Sequence, residues 1–338
     1  MNMTSPPRSI AGLSRRTTKA GTVAIVAAVT LGLAPESSRS AQDPEQLATS
    51  PASSRPFSST SPFNVPIVDD PAVDPSSGAM ISRATRTGMV HANLFEYGIP
   101  IYSATALTPR HPVDCAGPSS WGTCPFWVQA MPIPSGAAPN QGSDGVMTVM
   151  DLSTNTVSEY WQARQTPDGE WTTTWGAENS MSGSGWGGSS TGAGASRIGG
   201  VVRVDEIEAG VIDHALVMQS DNVCKDVYRA PALKTDGNSS RSDCIPEGAR
   251  LQLSPGIDVE GIPGITTGEV AVAKALQTHG AYLIDRADTS LSISFELAPD
   301  ATPASPGRVY EEAGFAWDYY GMPKVPWKEM RVLESWNG

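Results

Sequence analysis

Tyr160, Gln162 and Arg164 alternate along a strand-like run, Val157–Gln165, so a phenol, an amide and a guanidinium point to one side while Glu159, Trp161 and Ala163 point to the other. Three such groups are costly in a dry core, which marks their face as solvated or functional. His214 lies in a second strand-like run, Ile212–Gln219. Alternation there puts it beside Ile212, Leu216 and Met218, partly buried, with Asp213 opposite. If the two runs meet across one concave sheet, the set suits β-elimination from an acidic sugar. Arg164 and Gln162 would neutralise the carboxylate and acidify the adjacent C–H, and His214 or Tyr160 would take the proton. A histidine among aliphatic residues is more often a hydrogen-bonded core residue than a catalyst.

This catalytic set is similar in residue type to that of jelly-roll polysaccharide lyases, over two strands and without their motif spacing. Aromatic content points the same way, because aromatic faces stack on the apolar faces of sugar rings. Trp161, Trp171, Trp175 and Trp186 fall within 26 residues. Trp175 and Trp186 border and occupy a glycine-rich run, 176–196, that reads as a lid or binding loop, and they are the expected substrate contacts. Hydrolysis is the alternative chemistry and needs two carboxyl groups about 5–9.5 Å apart. Asp144, Asp151, Glu159, Glu178, Asp213 and Glu247 lie on or beside expected strands, and no spacing selects a pair among them.

Asp236, Asn238, Ser240 and Glu247 occupy positions 1, 3, 5 and 12 of a calcium-loop register. Arg241 stands where the sharp turn of an EF-hand needs glycine, and Pro246 sits inside the loop, so a polar loop pinned by Cys244 is the simpler account and an irregular structural calcium site its alternative. No other cofactor is expected, since HExxH and phosphate-loop patterns are absent. Gly188–Gly192 matches G-x-S-x-G without the strand, turn and helix that give that pattern meaning.

The elements that must position these residues are mostly strands. The chain has 33 Gly and 28 Pro among 338 residues, which excludes a helical bundle, while nine Trp, eight Tyr and six Phe supply a core. Strands are expected at 99–104, 126–131, 146–152, 157–165, 170–175 and 212–219, with a hairpin formed by 281–285 and 291–297. Thr266 and Glu269 form a capping box that starts a helix ending at Gly280. Asp74-Pro75 starts a short helix, and Gly210 stops another at 205–209. The predicted fold class is mainly β, an antiparallel β-sandwich or jelly-roll-like single domain over residues 63–338, with a few short helices.

Arg8, Arg15, Arg16 and Lys19 precede the uncharged run 20–34, the layout of a secretory signal peptide over residues 1–41. Residues 42–62, rich in Ser, Pro and Ala, read as a flexible linker. Removing the signal takes five of 23 basic and one of 35 acidic residues, leaving 18 against 34 and a net charge of −16. Nucleic acid is therefore an unexpected partner, as is stable membrane insertion after signal cleavage. An extracellular glycan is the expected one, with a non-catalytic glycan-binding or structural role as the rival. The oligomeric state is left open. All four cysteines follow the signal, and local spacing favours Cys115–Cys124 and Cys224–Cys244 disulfides among three possible pairings.

Overall fold

A computed structural model describes residues 55–335 apart from Ser189; the expected signal peptide and the linker up to residue 54 lie outside them. After helix α1 (Ser77–Ala84) come β1 (His91–Asn93), β2 (Ile101–Ala104), β3 (Met147–Asp151), β4 (Thr156–Trp161) and β5 (Trp175–Ser180). Helix α2 (Val204–Ala209) then precedes β6 (Leu216–Ser220) and β7 (Arg250–Leu253). Helix α3 (Thr267–Thr278) leads into β8 (Ala281–Arg286), β9 (Ser292–Ser294) and β10 (Met330–Val332). Six of these strands form the main sheet in the order β1-β9-β6-β8-β7-β10, and four form a second sheet, β5-β4-β3-β2. The fold is mainly β.

Side-chain alternation sets the layers. Leu216 and Met218 face the same core as Ala271, Val272, Ala275 and Leu276 of α3. Val217 faces the other way and joins Tyr282 and Ile284 of β8, where Phe57, Phe63, Met150 and Val157 complete a second core. The second sheet presents Met147, Val149 and Tyr160 to a third core with Phe126, Met131 and Trp171. The expected capping box holds α3, with Thr266 Oγ1 accepting from the Glu269 amide at 3.2 Å and Glu269 accepting from the Thr266 amide at 3.0 Å. Both expected disulfides are present, Cys115–Cys124 and Cys224–Cys244. No helix among the described residues is long and apolar enough to cross a membrane.

Several expected elements differ. β6 pairs in parallel with β8 and β1 in parallel with β9, so the main sheet is mixed and not purely antiparallel. β8 and β9 do not form a hairpin, because β6 lies between them. Leu216, Val217 and Met218 are all fully buried, and a strand apolar on both faces belongs inside a sheet. The run 126–131 is a 3-10 turn, Pro125–Val128, followed by a short strand at Met131–Pro132.

The run 157–165 breaks at Gln162, whose φ of 55° ends β4 and hands Arg164–Gln165 to a separate small sheet. The glycine-rich run is not an open lid. Its first residues belong to β5, and Ala193, Ala195 and Ser196 are fully buried. Small residues let this backbone lie against the main sheet. Just past the run, at Gly200 with φ of 73°, a Cβ would come within 2.6 Å of the Ala215 carbonyl. Phe57, inside the stretch read as linker, is buried and packs 6.1 Å from Phe63.

Candidate functional site

The parallel pairing of β6 and β8 carries an irregularity. Met218 lies opposite Leu283, whereas Gln219 lies opposite Asp285, so Ile284 is left over as a bulge. Such bulges re-aim side chains. Gln219, Asp285 and Arg286 here line a cavity of about 500 Å³ at the C-terminal ends of the two strands. The rest of the wall comes from far along the chain. His91 and Asn93 of β1 and Ser292 and Ser294 of β9 lie on the main-sheet side, and Tyr97, Ser143, Asp144, Arg197, Asp288 and Tyr319 also face the cavity. The size falls within the usual range for small-ligand sites, roughly 300–1,000 Å³, and most of the residues lining it are polar or charged.

Hydrogen bonds fix the cleft. Gln219 donates to Ser294 Oγ at 2.9 Å and accepts from Ser292 Oγ at 3.1 Å. The Tyr97 hydroxyl lies 3.1 Å from Ser143 Oγ, and the Tyr97 and Tyr319 rings are 6.4 Å apart. Tyr319 has φ of 59°, an unfavourable backbone for a bulky residue. Its segment is held by Asp318, which accepts from the amides of Leu94, Phe95 and Glu96 at 2.9–3.0 Å. The His91 ring nitrogen Nδ1 contacts the Tyr319 carbonyl at 2.9 Å. Burial and the hydrogen bond to Glu96 raise the Tyr319 hydroxyl well above its ordinary range, so it stays protonated.

Asp285 joins this cleft to an acidic cluster. One oxygen from each of Asp236, Glu247 and Asp285 lies within 4.8 Å of the others. Glu247 ends the short strand Ile245–Glu247, which pairs with Val223–Tyr228 above the Cys224–Cys244 disulfide. It is fully buried; its Oε2 accepts from the Asp236 amide at 3.1 Å, and its Oε1 has no hydrogen-bond partner. Burial, with the negative charges of Asp236 and Asp285, pushes the Glu247 carboxyl up to about 8 against the pull of a hydrogen bond from Thr235. Asp285 is pushed up to about 6, by burial first, against the pull of Arg197 3.4 Å away.

The four residues expected to perform elimination do not share a site. Tyr160 is fully buried against Phe126, with ring centroids 4.7 Å apart, and burial raises its phenol above the ordinary range. Arg164 is exposed on its own small sheet. Gln162 accepts from Thr174 Oγ1 at 2.7 Å. Its backbone does reach the cleft indirectly, since the Gln162 amide donates to the Asp144 carbonyl at 2.7 Å. His214 precedes β6 and lines a separate hollow of about 310 Å³ with Arg203 and Glu206. Its Nε2 lies 3.1 Å from the Glu206 carboxylate and its Nδ1 2.9 Å from the Ala215 carbonyl. Burial opposes its charged form, but the hydrogen bond and charge of Glu206 outweigh burial and raise its pKa.

Trp186 stacks on Phe63 at 5.2 Å and meets Tyr282 edge-on at 5.6 Å, so it closes the second core. Trp175 is half-buried in an aromatic group. It lies 6.1 Å from Trp121, which lies 5.9 Å from Trp161, and the Trp161 indole donates to Asp144 at 3.3 Å. Of the four calcium-loop residues, Asp236 and Glu247 do meet. Asn238 and Ser240 are exposed farther along, because Ser239 is held in extended pairing by bonds to Val223 and Lys225.

Of the six carboxylates considered for hydrolysis, Asp144 lines the cleft and Glu247 belongs to the cluster. Asp151 bonds to Ser153, Glu178 to Gln129, and Asp213 pairs with Arg55. Glu159 is buried under the glycine-rich run. Asp285 and the two tyrosines carry no motif, and alternation alone could not find them. No protein-family model, curated protein or solved structure matches the chain.

Proposed function

We propose that this is an exported protein that binds a segment of extracellular glycan in the Tyr97/Tyr319 cleft. The observation that carries the reading is the composition of that wall. The amide and hydroxyl groups of Asn93, Gln219, Ser292 and Ser294 lie beside two tyrosine rings, the combination that bonds sugar hydroxyls and covers apolar ring faces. The Trp161 indole, donating to Asp144 at 3.3 Å, ties an aromatic group to one wall residue of the cleft. Two disulfides suit an oxidising compartment. The two sheets that contribute Met150, Val157 and Tyr282 to one core support a sandwich in the broad sense.

The test is binding of the purified protein to a panel of neutral and uronic polysaccharides by affinity electrophoresis. Retardation by at least one glycan, weakened about tenfold by Tyr319→Ala, is the expected result; no retardation by any of them overturns the reading. Hydrolysis is the second reading, favoured over elimination because Asp144 and Asp288 face the cleft whereas Tyr160 and His214 do not. New reducing ends without 235-nm absorbance, lost in Asp144→Asn, are its signature.

A further inference from the structure

We propose that Asp236, Glu247 and Asp285 bind a calcium ion beside the cleft. Two oxygens bound to one Ca²⁺ at about 2.4 Å can lie no more than about 4.8 Å apart. The three carboxylates meet that limit. They come from three parts of the chain: the loop before the Cys244 bridge, the strand Ile245–Glu247, and the end of β8.

A second observation concerns the burial and hydrogen bonding of one member. Glu247 is completely buried, yet its Oε1 accepts no hydrogen bond. A buried carboxylate oxygen without a donor costs on the order of 1–3 kcal/mol or more, and a cation is the partner that removes the cost. The oxygen is directed into the cluster, because a Cβ built on Gly192 would lie 2.5 Å from both it and Asp236 Oδ1. Glycine at 192 leaves that space open. Charge agrees with the ion's valence in the bound state: with all three carboxylates ionised, the single guanidinium of Arg197 leaves a formal charge of −2, which one divalent cation neutralises.

Oxygen-only ligation selects a hard cation, and carboxylates from three separate segments suit the irregular geometry of Ca²⁺ better than the strict octahedron of Mg²⁺. The sequence register identified the loop and two of its carboxylates. The third ligand is Asp285, in place of Asn238 and Ser240. Asp285 also faces the cleft, so the ion lies at the edge of the glycan surface. The site stands on its own geometry and does not depend on what the cleft binds.

The experiment is calorimetric titration of the chelator-stripped protein, disulfides formed and no glycan present, with CaCl₂ and separately with MgCl₂. One Ca²⁺ per chain, at least tenfold tighter than Mg²⁺, is expected. Asp236→Asn, at an exposed position where folding is undisturbed, should weaken Ca²⁺ binding about tenfold or more, and Glu247→Gln should abolish it. No Ca²⁺ binding at millimolar concentration overturns the proposal. So does equal binding of Mg²⁺, or binding that persists unchanged in both variants while circular dichroism shows them folded.

Discussion

Glu159 and Glu247 are both fully buried, and burial raises both carboxyls above the usual range. Their surroundings differ in donors. Glu159 accepts from Ser190 Oγ at 2.5 Å, from Ser196 Oγ, and from the Ile198 amide at 3.3 Å, all supplied by the glycine-rich segment that covers it. Glu247 receives the Asp236 amide on Oε2 and feels the Thr235 hydroxyl, but its Oε1 has no hydrogen-bond partner and two further carboxylates lie beside it. Burial with a displaced pKa therefore does not define a site. The supply of donors separates a carboxylate that holds the fold together from one that awaits a partner.

The largest effect expected from this contrast is at Glu159. Glu159→Ala leaves two buried hydroxyls and an amide without their acceptor and opens a cavity, which should cost about 4 kcal/mol in denaturant unfolding. A loss below about 1 kcal/mol would remove its structural role. Trp186→Ala probes the same segment. With Phe63 and Tyr282 losing a ring partner, about 3 kcal/mol of stability should go, while glycan retardation stays unchanged. Binding lost without loss of stability would return Trp186 to the ligand surface.

Two histidines repeat the contrast on a smaller scale. His214 has both ring nitrogens bonded and a raised pKa, whereas His279 has an unpartnered Nδ1 and is pushed down to about 4. Burial, with the charges of His214, Arg250 and Arg55, lowers His279. The stabilisation from His214 is complete below its unfolded value of 6.5 and is lost as pH rises through the higher folded value. The contribution of His279 is present above 6.5 and is lost as pH falls towards 4. Melting temperature against pH should therefore lose its alkaline decline in His214→Gln and part of its acid decline in His279→Gln. Identical profiles for both variants and the parent would contradict these assignments.

What could be read in the sequence was local. The Thr266/Glu269 capping box, the stop at Gly210 and the two short-range disulfides each depend on neighbours within a few to about twenty residues, and the structure contains all of them. The cleft depends on β1 meeting β9 in parallel, some 200 residues along the chain, and on a bulge at Ile284 that no residue type announces. Gln162 misled the reading of its strand because an ordinary glutamine carries no mark of a positive φ. The glycine-rich run looked like an open loop, although its small residues Ala193 and Ala195 pack into one core with Val217 and Ile284 of the main sheet. The calcium register picked out Asp236 and Glu247, whose carboxylates do lie together, but could not point to Asp285 beside them, because an aspartate at the end of an apolar strand has no spacing to either.

The most direct measurement of the contrast is the calcium-dependent shift in melting temperature of three proteins: the parent, Glu247→Gln and Glu159→Gln. The parent should gain about 5 °C at saturating calcium. Glu159→Gln should melt lower than the parent and gain the same increment. Glu247→Gln should melt at or above the calcium-free parent and gain nothing, since the substitution removes a carboxyl crowded by Asp236 and Asp285 together with the ligand. A calcium shift that survives in Glu247→Gln, or one that disappears in Glu159→Gln, would contradict the division between the two glutamates.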